Sequence, residues 1–168
     1  MKTFECVVEK KDAIASIKDL FENSTLGKKE LRDFRMKLIL PSVIIVSAYW
    51  FLFKNNIMTA ALSLFFILLI LGLKQFIIKR HKKEFDKPIY ANRFGLAVYT
   101  IDEKGIKKES GGISITVSWK AIADYRKTSE LIWIKAEGNN MLIIPQRSFS
   151  SPTEFENVYR TIEANLSI

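Results

Sequence analysis

Between Leu38 and Leu73, 27 of 36 residues are apolar and only Lys54 is charged. A bilayer core about 30 Å thick needs about 20 mostly apolar residues in a helix rising 1.5 Å each. As one helix the stretch would be roughly 54 Å long, too long for a single crossing. It would also hold Lys54 at mid-bilayer, at a cost of at least ~2.5–3.5 kcal/mol. Both problems vanish if the chain turns at Lys54-Asn55-Asn56. The first arm, Leu38–Phe53, has 16 residues and spans if Lys37 and Lys54 reach outward to the headgroups. The second arm, Ile57–Leu73, is continued by Phe76-Ile77-Ile78. Tyr49 and Trp50 fall close to the turn, where amphipathic rings favour the interface. The reading is a two-helix transmembrane hairpin over residues 37–80, with its turn at 54–56. A buried hairpin in a soluble protein is the weaker reading, since a chain of 168 residues cannot wrap two helices that are apolar all round.

Lysine plus arginine total 26 against 18 acids, and their placement sets the expected orientation. Lys28, Lys29, Arg32, Arg35 and Lys37 precede the first arm; Lys74, Lys79, Arg80, Lys82, Lys83 and Lys87 follow the second. The turn has only Lys54, so both termini are expected in the cytoplasm of a two-pass protein of the bacterial plasma membrane. The first 36 residues are polar and hold seven acids, which does not suit a cleavable signal peptide. The basic run Lys79-Arg80-His81-Lys82-Lys83 reads as a topology anchor attracted to anionic headgroups at ~1 kcal/mol per charge. Its cations Lys79, Arg80, Lys82 and Lys83 are candidate anionic-lipid contacts. Nucleic acid is not expected as a partner, because no aromatic side chains interleave these charges.

After Pro88 the pattern changes to short strands, and residues 88–168 are read as a cytoplasmic domain. Ile113, Ile115, Val117 and Trp119 alternate with Ser114, Thr116, Ser118 and Lys120, the period of a half-buried strand. Gly95–Ile101 and Ile106–Glu109 flank a turn at Asp102-Glu103-Lys104-Gly105. Ile122–Lys127, Leu131–Ala136 and Met141–Pro145 follow, with a turn at Glu137-Gly138-Asn139-Asn140. Ser151-Pro152-Thr153-Glu154 combines a serine cap, an N1 proline and a glutamate three residues after the cap. Phe155, Val158, Tyr159, Ile162 and Leu166 then form one apolar helical stripe expected to close over the sheet. Within residues 1–36, Phe4–Glu9 reads as an edge strand, and Asp12 as the cap of a helix carrying Ile14, Ile17, Leu20 and Phe21. Adding this strand to the six later ones gives seven. The N-terminal elements are therefore expected to join the C-terminal domain, and the fold class is α+β with membrane helices.

The segment from about Gly95 to Phe149 resembles the YcxB-like family of small bacterial membrane proteins. The matching residues are Thr100-Ile101, Gly105-Ile106, Trp119 with Ile122, and Ile144-Pro145 with Phe149. The resemblance implies a PH-like fold: a seven-strand, partly open barrel capped by a C-terminal helix. It implies no catalytic residue. Trp119 and Pro145 have plain structural readings, as the end of an apolar strand face and the end of a strand. Phosphoinositide-binding PH domains often place lysines on the first hairpin, so Lys104, Lys107 and Lys108 join the candidate anionic-lipid contacts. Glu103 and Glu109 weaken the field there, and residues 88–168 carry ten bases against nine acids.

The search for reaction chemistry finds little. The single His81 lies in the basic run, so a nucleophile in the sheet would have no histidine base. The single Cys6 alternates with apolar neighbours and reads as a small packed hydrophobe rather than a thiolate, and it excludes a disulfide scaffold. The seven glycines match no nucleotide fingerprint, and one His and one Cys make no metal site. No enzyme activity, cofactor or metal is therefore expected. The leading functional reading is a membrane-anchored, non-enzymatic interaction module binding a protein or peptide, with help from anionic lipid. The alternative is self-protection against a bacteriocin or membrane-active toxin, by analogy with small membrane proteins bearing PH-like domains. A third, a lipid-modifying enzyme, lacks a polar cluster in the sequence to support it. The oligomeric state is not legible.

Overall fold

In the computed structural model, which describes residues 1–87, 93–137 and 140–166, every expected strand is present. In chain order the elements are β1 (Lys2–Val8), α1 (Lys10–Asn23), α2 (Thr25–Phe53), α3 (Asn56–Glu84), β2 (Gly95–Ile101), β3 (Gly105–Ser110), β4 (Ile113–Ser118), β5 (Ile122–Lys127), β6 (Leu131–Ala136), β7 (Met141–Pro145) and α4 (Pro152–Leu166). The chain divides into two compact units, Met1–Asp19 with Lys82–Ile168, and Leu20–His81.

The first unit holds seven antiparallel strands in two sheets, ordered β1-β2-β3-β4 and β5-β6-β7. β1 pairs with β2 over its whole length, from Lys2 opposite Ile101 to Val8 opposite Gly95, so the N-terminal strand is the edge of the larger sheet. β6 is the middle of the smaller sheet, and five of its six residues are buried, so both of its faces are covered. One face lies under α1: Trp133 donates from Nε1 to Asp19 Oδ2 at 2.8 Å, and the Ser16 hydroxyl meets Met141 Sδ at 3.0 Å. α4 begins where Glu154 N–H donates to Ser151 Oγ at 3.2 Å, and its Phe155, Val158 and Ile162 are buried as the stripe requires. The turn read at Glu137–Asn140 falls partly outside the described residues.

No ladder joins β1 to β7; side chains close the gap instead. The buried Tyr99 hydroxyl donates to the Ile143 carbonyl at 2.8 Å and accepts from Ile143 N–H at 3.3 Å, serving both backbone groups that β6 leaves unpaired. On β1, Val7 N–H donates to Ser148 Oγ and the Val7 carbonyl accepts from Arg147 Nη2. An edge that would otherwise offer a pairing template is thereby blunted. Four rings, Tyr99, Phe4, Phe149 and Phe155, follow one another at 5.7, 5.2 and 5.7 Å and link β2, β1 and α4.

Two boundaries differ from the sequence reading. α1 begins at Lys10, two residues before Asp12. Asp12 is the N3 residue of this helix and reaches back to accept Glu9 N–H at 2.7 Å, the returning half of a capping box. β4 stops at Ser118, and Trp119 opens a 3-10 turn from which its Nε1 donates to the Asp102 carbonyl at 3.0 Å.

The second unit contains the expected helical pair. α2 and α3 have 29 residues each, about 43 Å, longer than the arms Leu38–Phe53 and Ile57–Leu73 alone. Both are long and apolar enough to cross a membrane, and only 6% of the most apolar 18-residue stretch of each is buried. Lys54 makes the turn with φ 48°, in the left-handed region, while its N–H donates to the Trp50 carbonyl at 2.8 Å. Asn55 then caps α3, its Oδ1 accepting Met58 N–H at 3.1 Å. At the other end of α2, Ser24 Oγ accepts Gly27 N–H at 3.1 Å. A Cβ on Gly27 would stand 2.1 Å from the Leu20 carbonyl oxygen, so the α1–α2 corner admits only glycine.

Candidate functional site

The charges singled out in the sequence fall in two places. Lys79, Arg80, Lys82 and Lys83 are exposed on the last turns of α3. At 100° per residue, Lys79, Lys82 and Lys83 share one side of that helix and Arg80 borders it. Lys104 and Lys107 are exposed at the β2–β3 hairpin, where Lys107 is already paired with Glu109 at 2.5 Å.

Lys108 is not a surface cation. Strand alternation sends Ile106, Lys108 and Ser110 inward, and Lys108 is 7% exposed. Its ammonium donates to the Arg93 carbonyl at 3.2 Å and lies 6.0 Å from the Tyr99 ring centroid. Burial pushes the Lys108 pKa below its ordinary 10.5. Two consecutive lysines in a strand must face opposite ways, so the hairpin brings only Lys104 and Lys107 together at the surface.

Nearby Cys6 is 2% exposed, and burial pushes its thiol up to about 12, against weaker opposing pulls from the Lys108 and Arg147 charges. At neutral pH it is a protonated core residue. Tyr99 is raised as well, again by burial first. The signs give a pH prediction. Between the depressed folded value of Lys108 and 10.5, the unfolded chain binds more protons, so stability rises with pH. Above about pH 9 the unfolded chain loses the Cys6 and then the Tyr99 proton while the fold keeps both, which opposes the Lys108 contribution and lowers stability once 10.5 is passed. Lys108→Met, which removes the buried charge, is expected to match or exceed the parent at pH 7 by up to about 1 kcal/mol and to abolish the rising limb. Urea unfolding of the full chain in detergent across pH measures both.

Asp12, 4% exposed, is held by Arg147 through two bonds, Nη1 to Oδ1 at 2.7 Å and Nη2 to Oδ2 at 2.6 Å. Arg147 Nη2 also approaches Glu9 Oε1 at 3.2 Å, and the carboxylates raise its pKa further. A shallow polar cavity of about 420 Å³ lies beside this pair, lined by Lys11, Asp12, Ala15, Glu130, Gln146 and Arg147. Asp12 and Arg147 are committed to one another and Lys11 to Glu9 at 2.9 Å, which makes the Asp12–Arg147 pair a structural clasp between β1, α1 and the end of β7.

In the sequence Arg35 counts among the flanking charges but is not singled out as a contact. It stands on the least exposed stripe of α2, with Leu31, Leu38, Ser42, Val46 and Tyr49 at spacings of three or four. Its Nε is shielded from solvent and has no hydrogen-bond partner. Arg35 is one of seven charged residues between Lys28 and Lys37, so composition alone does not mark it as the one turned inward. Lys74 on α3 is half-buried and held by Glu22 Oε1 at 2.8 Å.

Two antiparallel sheets and a closing helix, on a chain that also carries two membrane-length helices, define an α+β protein with a helical hairpin. The model of the family described as YcxB-like protein matches residues 101–160, from the last residue of β2 into α4, overlapping the Gly95–Phe149 segment that carries the resemblance. No curated protein and no solved structure matches the chain. Within the matched segment several close contacts fix the corner between β2, β3 and β4. Gly105 approaches β4 so closely that a Cβ would lie 2.0 Å from the Val117 carbonyl oxygen. Asp102 Oδ1 accepts Lys104 and Gly105 N–H at 2.7 and 3.1 Å, and Trp119 clamps the Asp102 carbonyl.

Proposed function

We propose that the chain is a membrane-anchored, non-enzymatic interaction module at the cytoplasmic face of a bacterial membrane. Its PH-like unit binds a protein or peptide there, and its basic residues engage anionic lipid. The observation that carries the anchoring is the exposed apolar surface of α2 and α3: Ile44, Phe51, Leu52, Leu64, Leu68 and Leu71 are each at least half exposed, which water penalises and lipid does not. Charge asymmetry supports the orientation, eleven lysines and arginines flanking the spans against Lys54 at the turn. Tethering then works by concentration: a module confined to the surface meets membrane partners at an effective concentration set by its anchor.

The orientation is tested in a Cys6→Ser background by placing single cysteines at exposed positions. Asn55→Cys is expected to react with a membrane-impermeant maleimide on intact bacterial cells, whereas Lys18→Cys and Thr116→Cys react only after permeabilisation. Labelling of Thr116→Cys on intact cells, or recovery of the protein in the supernatant after alkaline extraction, would refute the reading. Photo-crosslinking from Thr116 in native membranes then tests for the partner.

A further inference from the structure

Arg35 is the place where the helical pair is chemically incomplete. Among the described residues its Nε is the buried side-chain nitrogen left without an acceptor. Such a group is costly to leave unpaired, more so when charged, and asks for an acceptor that completes it.

Depth narrows the identity of that acceptor. Arg35 lies 19 residues before Lys54 (54 − 35), and Lys74 lies 19 after Asn55 (74 − 55). At 1.5 Å per residue both stand about 28 Å from the turn, close to the ~30 Å thickness of a hydrocarbon core. In a spanning hairpin, this is the level at which acyl chains give way to headgroups. Lys74 is already held by Glu22, whereas the carboxylate nearest Arg32 is Asp33 at 3.9 Å. Lys28, Arg32 and Arg35 follow at spacings of four and three and share one side of α2 within about 60°.

We propose that Arg35, supported by Lys28 and Arg32, binds the phosphate of an anionic phospholipid. The proposal rests on the membrane reading above and adds a specific lipid site to it. A guanidinium matches a phosphodiester by two parallel N–H···O bonds, a geometry that an ammonium cannot reproduce. At headgroup level the phosphate draws the guanidinium off the α2 stripe, so that Nε–H and one Nη–H donate together and the orphaned nitrogen is satisfied. The half-buried Leu38 and Ile39, one turn further along α2, receive the start of an acyl chain. The exposed Lys79, Lys82 and Lys83 add general attraction without this two-point geometry.

The test uses the full chain in nanodiscs of phosphatidylcholine, alone or mixed with phosphatidylglycerol. Lipid retention is read by native mass spectrometry and stability by thermal unfolding. The parent is expected to retain phosphatidylglycerol and to unfold at a higher temperature in the mixed discs. Arg35→Gln should weaken retention about tenfold to a hundredfold, the range of a charged hydrogen bond. Arg35→Lys should recover only part of it, and Lys120→Gln, an equal charge loss on the β-sheet unit, should behave as the parent does. Helix content by circular dichroism shows that each variant is folded. Equal retention by Arg35→Gln and parent would overturn the site. An Arg35-dependent gain from inorganic phosphate in phosphatidylcholine discs would overturn the lipid as its source. Failure of the membrane reading looks different: the protein would enter neither disc.

Discussion

Gly105→Ala is expected to destabilise the β-sheet unit by about 3 kcal/mol or more, the sum of a strained backbone and an overpacked contact. Gly105 has φ 153°, and its added Cβ would meet the Val117 carbonyl oxygen at 2.0 Å and Ser118 Cα at 2.8 Å. Both obstacles are backbone of a paired strand, so neither yields as a side chain would. The comparison is Gly112→Ala, where φ is 78° but no atom stands within 4 Å. That variant has backbone strain alone and should cost about 1–2 kcal/mol. Urea unfolding of both in detergent, followed by tryptophan fluorescence, separates close approach from strain. Equal losses would show that the contact between β3 and β4 relaxes freely.

Arg147→Ala is the second large effect, at about 3–5 kcal/mol. The loss is mainly the penalty for leaving the buried Asp12 carboxylate with only the Glu9 N–H to bond. The Arg147 side chain is 38% exposed, so water offsets some of it and the lower end of the range is expected. Arg147→Lys should fall between, because one ammonium cannot serve both Asp12 oxygens and the Val7 carbonyl as the guanidinium does. Asp12→Asn combined with Arg147→Met removes the stranded charge and should recover part of the loss in a double-mutant cycle. Full additivity would show that the two side chains do not act as a pair.

The strands were legible because their punctuation is chemical: Asp102 through Gly105, Gly111-Gly112 and Thr128 through Glu130 each bracket a run rich in β-branched residues. The start of α1 was less so. Asp12 is a good N-cap residue by type, but Glu9 three positions earlier lets it act from inside the helix. Trp119 continued a clean alternation and yet leaves the strand, since its indole finds an acceptor in another turn, which no local pattern records. Of the candidate lipid contacts, Lys108 has the charge of a surface residue but the parity of a core one, and a strand with inward Ile106 takes Lys108 inward with it. Arg35 was hidden for the opposite reason, since it is one of several charges on the first turns of α2 and nothing in the pattern marks it as the one turned inward.

The pairing of β1 with β2 has a consequence for synthesis. Val8 and Gly95 are sheet neighbours although 87 positions (95 − 8) separate them in the chain. At roughly 5–20 residues per second, the ribosome needs about 4–17 s to deliver the second strand after the first. Throughout that wait β1 has no mate, and α2 and α3 leave the exit tunnel before the sheet can close. On the membrane reading proposed above, newborn chains are most open to proteases and to one another while that hairpin is being inserted.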